Sequence, residues 1–213
     1  MNPSVSVVLL AFGAEPWLQE CVGSVLDSAV KQLEVVVVDN GTEADLAALA
    51  ATDPRVRVIG DGTNLGFAGG VNAGVAASSG EVVVLLNSDA ELLGTTLPDL
   101  AAAAASPDAG IVGALIVLGD EPDRVNSWGN PLHILGLSWA GGFGEPASSA
   151  PAAAEVASAS GACLALRREL WDRLGGFSEA YFAYYEDMDL CWRCHQLGLP
   201  VTVRSELRVL HHY

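Results

Sequence analysis

The sequence predicts an α/β protein built on a doubly wound, mostly parallel sheet. Runs of continuous apolar residues, at 4–12, 34–39, 55–60 and 81–89, alternate with segments of helical periodicity. Strands that are apolar along their whole length are buried on both faces, and strands separated by helices run parallel. Short polar side chains follow several of these runs, and ligands of open parallel sheets bind at such carboxyl ends.

Length and charge narrow the function classes. The 213 residues are enough for one large domain, and 51% of them are hydrophobic, as in a globular chain. The formal net charge of -16 repels a phosphate backbone, so we expect no nucleic-acid partner. Acidic clusters attract metal cations instead.

The N-terminal run predicts a core strand rather than a targeting segment. "MNPSVSVVLLAFG" has no basic region and no small-residue cleavage site. No run reaches the roughly 18 apolar residues of a membrane span, so we expect no integral membrane segment. Four cysteines do not form a disulfide scaffold in a domain of this size, which predicts a reducing, cytoplasmic setting.

The first strand, 4–12, is rich in Val and Leu, and Pro16 suits the start of a helix over 16–30. "EVVVVD" forms the second strand and leads into a helix at 43–51. "RVRVIG" forms the third strand.

Beyond the third strand, a Gly-rich helix is expected at 66–78, followed by the fourth strand, "EVVVLLNSD". A helix at 95–105 and a strand at 110–118 complete the alternation. The Ala-, Ser-, Gly- and Pro-rich stretch 139–161 predicts a mobile loop or a weak hairpin insertion. We therefore expect one domain with three parts, 1–118, a variable insertion at 119–160, and 161–213.

Polar residues at two strand ends are candidate ligands. Asn87 and Asp89, two apart after the fourth strand, present oxygens that a hard divalent cation prefers. Asp39 ends the second strand, where an acid can accept hydrogen bonds from a nucleoside. A turn formed by Asx side chains explains each of these residues equally well.

The stretch 64–74, "NLGFAGGVNAG", opens a helix but does not match a dinucleotide fingerprint, because it follows the third strand with a different spacing. No Walker lysine motif occurs. Its glycines allow either close approach to a ligand or tight packing of a helix on the sheet.

The segment "YYEDMDLCWRCHQLG" combines acids and cysteines on one predicted helix that begins near Glu186. Acids at a helix start are favoured by the macrodipole, and Asp189 is placed to pair with Arg193. A carboxylate there could instead deprotonate a hydroxyl nucleophile. The helical stripe is predicted to comprise Met188, Cys191, Trp192 and His195, with a second apolar flank of Leu190, Cys194 and Leu197.

The spacing Cys191-x-x-Cys194-His195 occurs in haem, metal and redox sites. A zinc site would need two further ligands, and haem attachment would need export. A redox thiolate is stabilised at a helix start, whereas acids precede this pair and raise its pKa. A redox or metal protein remains a third hypothesis on this motif.

In order, "VSVVLLAFG", "VVVVDNGT", "NLGFAGGVNAG", "LLNSDAEL", the segment from "SGACLALRREL" to "CHQLGLPV", and "LRVLHH" resemble family 2 of the glycosyltransferases. The resemblance is to the branch of rhamnosyltransferase-like and galactofuranosyltransferase-like members. It covers nearly the whole chain except 119–160. It implies the GT-A fold, with a small mixed sheet in the acceptor-side half.

The resemblance assigns roles residue by residue. Asn87-Ser88-Asp89 aligns with the metal-binding D-x-D motif, with Asn in place of the first acid, so that Asp89 contacts metal and diphosphate. His211 completes the metal site, Asp187 is the catalytic base, and Glu186 is the alternative base. The other implied contacts are, for the nucleotide, Phe12, Asp39, Asn64, Gly66, Asn72 and Asn87 and, for the acceptor, Gly161, Ala162 and Trp192.

The implied reaction is metal-assisted transfer of a sugar, with inversion, from a UDP- or dTDP-sugar to an acceptor hydroxyl, rhamnose being one candidate sugar. Mg2+ or Mn2+ is the implied cofactor, and the acceptor is a saccharide, a lipid-linked molecule or a small molecule. The location is cytoplasmic, or peripheral at the inner face of the membrane. Many members continue beyond the late His, so the chain is expected to be truncated at its C-terminus.

A second hypothesis is a catalytically weak module that binds nucleotide sugars. It is motivated by Asn87 in place of an acid and by the early end of the chain.

Overall fold

One mixed sheet of ten strands organises the residues that this computed structural model describes, 3–212. The strands are β1 (Val5–Gly13), β2 (Leu33–Thr42), β3 (Val56–Ile59), β4 (Val82–Asn87), β5 (Ala90–Leu92), β6 (Ile111–Leu118), β7 (Val125–Ser127), β8 (Ala153–Glu155), β9 (Cys163–Arg167) and β10 (Val201–His211). The helices are α1 (Leu18–Leu26), α2 (Leu46–Ala50), α3 (Gly66–Ala77), α4 (Thr96–Ala104), α5 (Arg168–Leu174) and α6 (Glu186–Gln196). Two short 3-10 turns lie at Ala147–Ser149 and Glu179–Tyr181.

The strand order is β3-β2-β1-β4-β9-β6-β10-β5, with β7 beside β6 and β8 beside β10. The first four strands in this order pair in parallel, as predicted. The fifth, β9, runs antiparallel between β4 and β6, whereas β6 and β10 are parallel. The mixed part expected in the second half of the chain therefore continues the parallel part within the same sheet.

The register of β1 with its neighbours brings two predicted ligands to one edge. Leu10 of β1 pairs with Asn87, and Ala11 pairs with Asp39. Because both neighbours run parallel to β1, Asn87 at the end of β4 and Asp39, three residues before the end of β2, lie at nearly the same level. This carboxyl edge is where an open parallel sheet binds ligands.

Helices cover both faces of the sheet, which is the doubly wound arrangement predicted. Val7 and Leu9 of β1 pack in the core that includes Val22 of α1, and Val8 packs in the opposite core with Val71 of α3. All five side chains are at most 2% exposed. Alternate residues of one strand thus serve opposite layers, which explains why β1 is apolar along its length.

The glycines of α3 are explained by packing on the sheet. A Cβ on Gly70 would lie 2.2 Å from Cδ1 of Leu10, and one on Gly74 would lie 2.4 Å from Cγ1 of Val8. Real Cβ atoms do not approach other atoms so closely. Of the two explanations for this Gly-rich stretch, helix–sheet packing therefore accounts for Gly70 and Gly74.

Several predicted boundaries are wrong. The strand expected at 81–89 ends at Asn87, because the chain turns at Ser88-Asp89, and the unpredicted strand β5 follows the turn and pairs with β10. The stretch 139–161 contains a 3-10 turn and β8 rather than a hairpin. A hairpin lies just before it, closed by a bridge between Leu132 and Ser138.

The segment that precedes α6 has strained backbone. Phe182, Tyr184 and Tyr185 have φ angles of 59°, 69° and 71°, and they are the non-glycine residues with positive φ in the described part of the chain. The amide of Ala68 donates to the carbonyl oxygen of Phe182 at 3.1 Å. A Cβ on Gly66 would lie 2.5 Å from that same oxygen, so glycine is required where the two segments meet. Such strain costs about 1–3 kcal/mol per residue and concentrates at functional sites.

Among residues 3–212, no helix combines the length and the apolar character that crossing a membrane requires.

Candidate active site

A cleft of about 280 Å³ opens at the carboxyl edge of the sheet, and we call it the edge cleft. Five predicted site residues line it, namely Phe12, Asn64, Gly66, Asn87 and Asp89. The other residues that line the cleft were not predicted from the sequence, and they are Leu10, Glu15, Asn40, Phe67, Ser88, Phe182 and Ala183.

Asn87, Asp89 and His211 converge beside this cleft. His211 Nε2 lies 3.1 Å from Asp89 Oδ1 and 3.3 Å from Asn87 Nδ2. The antiparallel pairing of β5 with β10 sets His211 opposite Ala90, next to the turn that carries Asp89. Residues 122 positions apart in the chain are therefore held together by strand pairing.

This group suits a divalent cation. A carboxylate oxygen, an imidazole nitrogen and an amide oxygen are all metal ligands. The Oδ1 atom of Asn87 is buried and has no hydrogen-bond partner among the described residues. Asp89 and His211 could thus hold a cation, with the amide oxygen of Asn87 as a further candidate ligand.

Asn40 is a functional candidate that sequence reasoning missed. Its side chain is 2% exposed, and its Oδ1 accepts from the amide of Leu65 at 2.8 Å. Its Nδ2 donates to Oδ1 of Asn64 at 3.1 Å, and that oxygen also accepts from the amide of Gly66. Asn40 thus fixes the loop that lines the edge cleft. Its place directly after Asp39 at a strand end was the available signal.

Asp39 forms the turn that was the alternative explanation for it. Its Oδ1 accepts from the amides of Gly41 and Thr42, at 3.1 and 3.3 Å. It does not line the edge cleft, although the neighbouring Asn40 does.

Two predicted contacts are not brought to these sites. The amide of Asn72 exchanges two hydrogen bonds of 2.9 Å with the backbone of Phe177, so this side chain ties α3 to the loop after α5.

Trp192, on α6, is 52% exposed, and it lines neither the edge cleft nor the cavities that contain the two acids. The buried face of α6 carries Cys191 of the predicted stripe together with Leu190 and Cys194 of the predicted second flank, so the stripe itself is wrong and two residues of the flank are confirmed as buried.

A second cavity of about 370 Å³ contains the two acids, and we call it the acid cavity. The predicted residues Asn87, Gly161, Ala162, Glu186, Asp187 and His211 line it. Its other lining residues are Phe67, Asn126, Ser127, Asn130, Ala140, Ser160, Ala183 and Tyr184. Asn87, Phe67 and Ala183 also line the edge cleft, so the two cavities adjoin.

Asp187 is held in place by backbone amides. The amide of Gly161 donates to its Oδ2 at 2.8 Å, and the amide of Met188 donates to its Oδ1 at 2.7 Å. Burial raises the pKa of this carboxyl, and the two hydrogen bonds only partly oppose the rise. A fixed carboxylate with a raised pKa is a stronger base than a free one.

Glu186 lies next to Asp187 in the sequence, but the surroundings of its carboxyl group differ from those of Asp187. The residue is 5% exposed, and its Oε2 has no hydrogen-bond partner among the described residues. Burial, together with the neighbouring charge of Asp187, raises the pKa of Glu186 to about 7. The site therefore contains two carboxyl groups of raised pKa, a pattern that is common at catalytic centres.

The Cys-x-x-Cys-His motif has a structural role. Cys191 and Cys194 are buried, and burial raises the pKa of Cys191 to about 12, which disfavours the reactive thiolate. His195 Nε2 lies 3.1 Å from the carbonyl oxygen of Val156. The predicted pair of Asp189 and Arg193 is confirmed at 2.6 Å.

Comparison with known proteins places this geometry in context. The sequence model of Glycosyl transferase family 2 matches residues 6–175. N-acetylglucosaminyl-diphospho-decaprenol L-rhamnosyltransferase of Mycobacterium tuberculosis is 29% identical, over 100% of this chain and 77% of its own. The uncharacterized protein y4gI of Sinorhizobium fredii is also 29% identical, over 99% of this chain, which spans only 24% of the length of y4gI.

Two solved structures resemble the fold closely. GalNAc-T7 with UDP, GalNAc and Mn2+ superposes with a TM-score of 0.82 and 16% identity, over 99% of this chain and 44% of that one. The mannosyltransferase PcManGT of Pyrobaculum calidifontis, in complex with GDP-Man and Mn2+, gives a TM-score of 0.73 and 20% identity, over 99% and 57%. Both have the GT-A fold, which confirms the predicted fold class.

Proposed function

Because the chain belongs to glycosyl transferase family 2, we propose that it transfers a sugar from a nucleoside diphosphate to an acceptor hydroxyl, with inversion at the anomeric carbon. One observation carries this proposal. The acid cavity, with Asp187 and Glu186, adjoins the edge cleft, and Asn87 lines both. A base and a diphosphate site must lie side by side for direct transfer between two substrates.

On the donor side, Asp89, His211 and the amide oxygen of Asn87 would hold Mg2+ or Mn2+. A bound cation neutralises charge on a leaving diphosphate. Phe12 is 54% exposed at the edge cleft and offers a face on which a nucleobase can stack. Asn64 and Gly66 form the floor of the same cleft, and Asp39 is the proposed hydrogen-bond acceptor for the nucleobase.

On the acceptor side, Asp187 accepts the proton of the attacking hydroxyl. The amide of Gly161 fixes the carboxylate in the cavity wall, so no reorientation is needed as the new bond forms. The reacting carbon acquires positive charge in the transition state. Glu186 is the alternative base, and its pKa of about 7 suits proton transfer near neutral pH.

The substrates are proposed from a relative. The mycobacterial relative is named for transfer of L-rhamnose to N-acetylglucosaminyl-diphospho-decaprenol. We therefore propose a dTDP- or UDP-sugar donor and a lipid-linked saccharide acceptor for this chain.

The test is transfer by the purified chain with Mn2+, a panel of nucleotide sugars and a carrier-linked acceptor. Asp187→Asn should lower the transfer rate by about 10²–10⁴-fold, because it removes the proton acceptor. Asp172→Asn, an exposed acid of α5, is the matched control and should leave the rate unchanged. Thermal stabilisation by nucleotide and Mn2+ should be the same in all three proteins.

A wild-type rate in Asp187→Asn would exclude Asp187 as the base and direct attention to Glu186→Gln. A second candidate function is nucleotide-sugar binding without transfer, because an amide replaces one acid at Asn87. Stabilisation by nucleotide sugar without transfer to any acceptor would favour it.

A further inference from the structure

A hairpin at residues 131–139 carries apolar side chains into solvent. The amide of His133 donates to the carbonyl oxygen of Leu137 at 2.8 Å and closes the turn. Ile134 and Leu135, at the tip, are 95% and 77% exposed, and Leu137 is 59% exposed. Large aliphatic side chains that are so exposed keep the full unfavourable free energy of contact with water. The tip is therefore suited to a partner that removes it from water.

Charge is missing from this part of the chain. The sequence has 26 Asp and Glu residues and 10 Lys and Arg residues, yet none of them lies between residues 125 and 144, where His133 is the one imidazole. A solvent-exposed loop of a protein with a net charge of -16 would ordinarily include acids. Because residues 125–144 include no Asp, Glu, Lys or Arg, this surface can contact an apolar or zwitterionic partner without moving such a charge out of water.

A second segment, Tyr184-Tyr185, adds aromatic side chains beside the base of the hairpin, where Trp139 lies. Trp139 and the strained residues Tyr184 and Tyr185 line a cavity of about 210 Å³ together with Glu186 and Asp187. These three aromatic residues are 55%, 83% and 40% exposed. Exposed aromatic residues from two distant segments thus surround the acids of the candidate active site.

Both kinds of side chain, exposed aliphatic and exposed aromatic, occur in membrane-binding surfaces. Aliphatic residues at a tip suit the acyl region of a bilayer, whereas Trp and Tyr prefer the headgroup region. The small, protruding tip does not suit a stable dimer, which buries roughly 800 Å² per partner.

We propose that the hairpin at 131–139, with Tyr184 and Tyr185 behind it, docks on the surface of a lipid bilayer. The adjacent acid cavity would then receive the hydroxyl of a lipid-linked acceptor directly from that surface. This statement about the acceptor rests on the proposed function, whereas docking itself does not.

The test is sedimentation with phosphatidylcholine vesicles. Wild type should sediment with the vesicles, and the double variant Ile134→Asp, Leu135→Asp should bind at least about tenfold more weakly, because charge at the tip opposes insertion. The control, Ser148→Asp with Ala152→Asp, adds the same charge at exposed positions of the same insertion and should sediment like wild type. Phosphatidylglycerol in the vesicles should weaken binding by the acidic wild-type protein.

Two results would overturn the proposal: wild type that stays in solution with vesicles, or a tip variant that sediments as well as wild type. A wild-type dimer that the tip variant loses would assign the surface to self-association instead.

Transfer to a water-soluble acceptor and stabilisation by nucleotide with Mn2+ are measured on the same proteins. Both should be unchanged in the tip variant. If both are absent from all proteins while vesicle binding follows the pattern above, the proposed function fails and docking stands.

Discussion

At the scale of a residue, burial sets the chemistry of Glu186. Its carboxyl group lies at the start of α6 with one oxygen unpartnered among the described residues. Burial raises its pKa to about 7, from an ordinary value of 4.5. The folded protein therefore binds the proton more tightly than the unfolded chain does. The contribution to stability is full below about pH 4.5 and is lost as the pH rises through 7.

Glu186→Gln should consequently flatten the dependence of stability on pH between 4.5 and 7. At pH 8 we expect the variant to be more stable than wild type by about 1–3 kcal/mol, because no buried carboxyl has to ionise. Chemical denaturation at a series of pH values measures this difference. Glu43→Gln, at an exposed position, serves as the control and should keep the slope of wild type. Parallel pH profiles for wild type and Glu186→Gln would contradict the assignment.

The sequence could predict that Asp89 and His211 lie together, because a carboxylate after a strand and a late His follow family motifs, and the structure brings their side chains within 3.1 Å. It could not reveal the pKa of Glu186, since that value depends on which segments bury the side chain. Asn40 was missed for a related reason. Its partners, Leu65 and Asn64, lie about 25 residues further along the chain and meet it only in the folded protein.

At the scale of an element, the glycines of α3 allow close packing of the helix on the sheet rather than backbone flexibility. Gly74 lies in the helix where a Cβ would meet Val8 at 2.4 Å and Val38 at 2.9 Å. Both neighbours belong to strands of the central sheet and are 1% exposed. The helix therefore approaches the sheet more closely than any side chain at this position would allow.

Gly74→Ala should destabilise the protein by about 1–3 kcal/mol, because the added methyl group forces the helix from the sheet. Gly23→Ala is the matched control, a glycine inside α1 with no atom within 4 Å of its added Cβ. There the gain in helix propensity, about 0.5–1 kcal/mol, should appear as increased stability. Urea denaturation of both variants compares the two effects. Equal changes in the free energy of unfolding, of the same sign in both variants, would show that contact of residue 74 with the sheet does not determine the effect of the substitution.

The alternation of strands and helices predicted β1 to β4, because each is a local apolar run. The position of β9 was beyond such reasoning, since its five residues pair with strands about 80 and 50 positions earlier. The short strand β5 was also missed, because its three residues, Ala90–Leu92, pair with β10, about 120 positions later in the chain.

At the scale of the whole molecule, charge opposes compactness. The chain carries a formal net charge of -16 over 213 residues. Like charges repel more strongly in the folded state, where they lie closer together. Salt screens this repulsion, since the Debye length falls from roughly 30 Å at 0.01 M to about 8 Å at 0.15 M.

The melting temperature should therefore rise with NaCl over this range. A gain of about 1 kcal/mol corresponds to roughly 2–4 °C for a chain of this size. Scanning calorimetry in NaCl measures the rise. Chelator is present throughout, so that no divalent cation contributes. A melting temperature that falls or stays constant would show that attractive pairs, such as Arg193 with Asp189, dominate the electrostatic balance.

The order of strands in the sheet also determines when each part of the sheet can form during synthesis of the chain. Strands β4 and β6 leave the exit tunnel well before β9, the strand that joins them, so the nascent chain holds two unconnected parts with bare apolar edges. Strand β10 follows last, and only its arrival brings His211 to Asp89. Chains released before residue 211 therefore lack one ligand of the proposed cation site, and synthesis itself times the moment at which that site becomes complete.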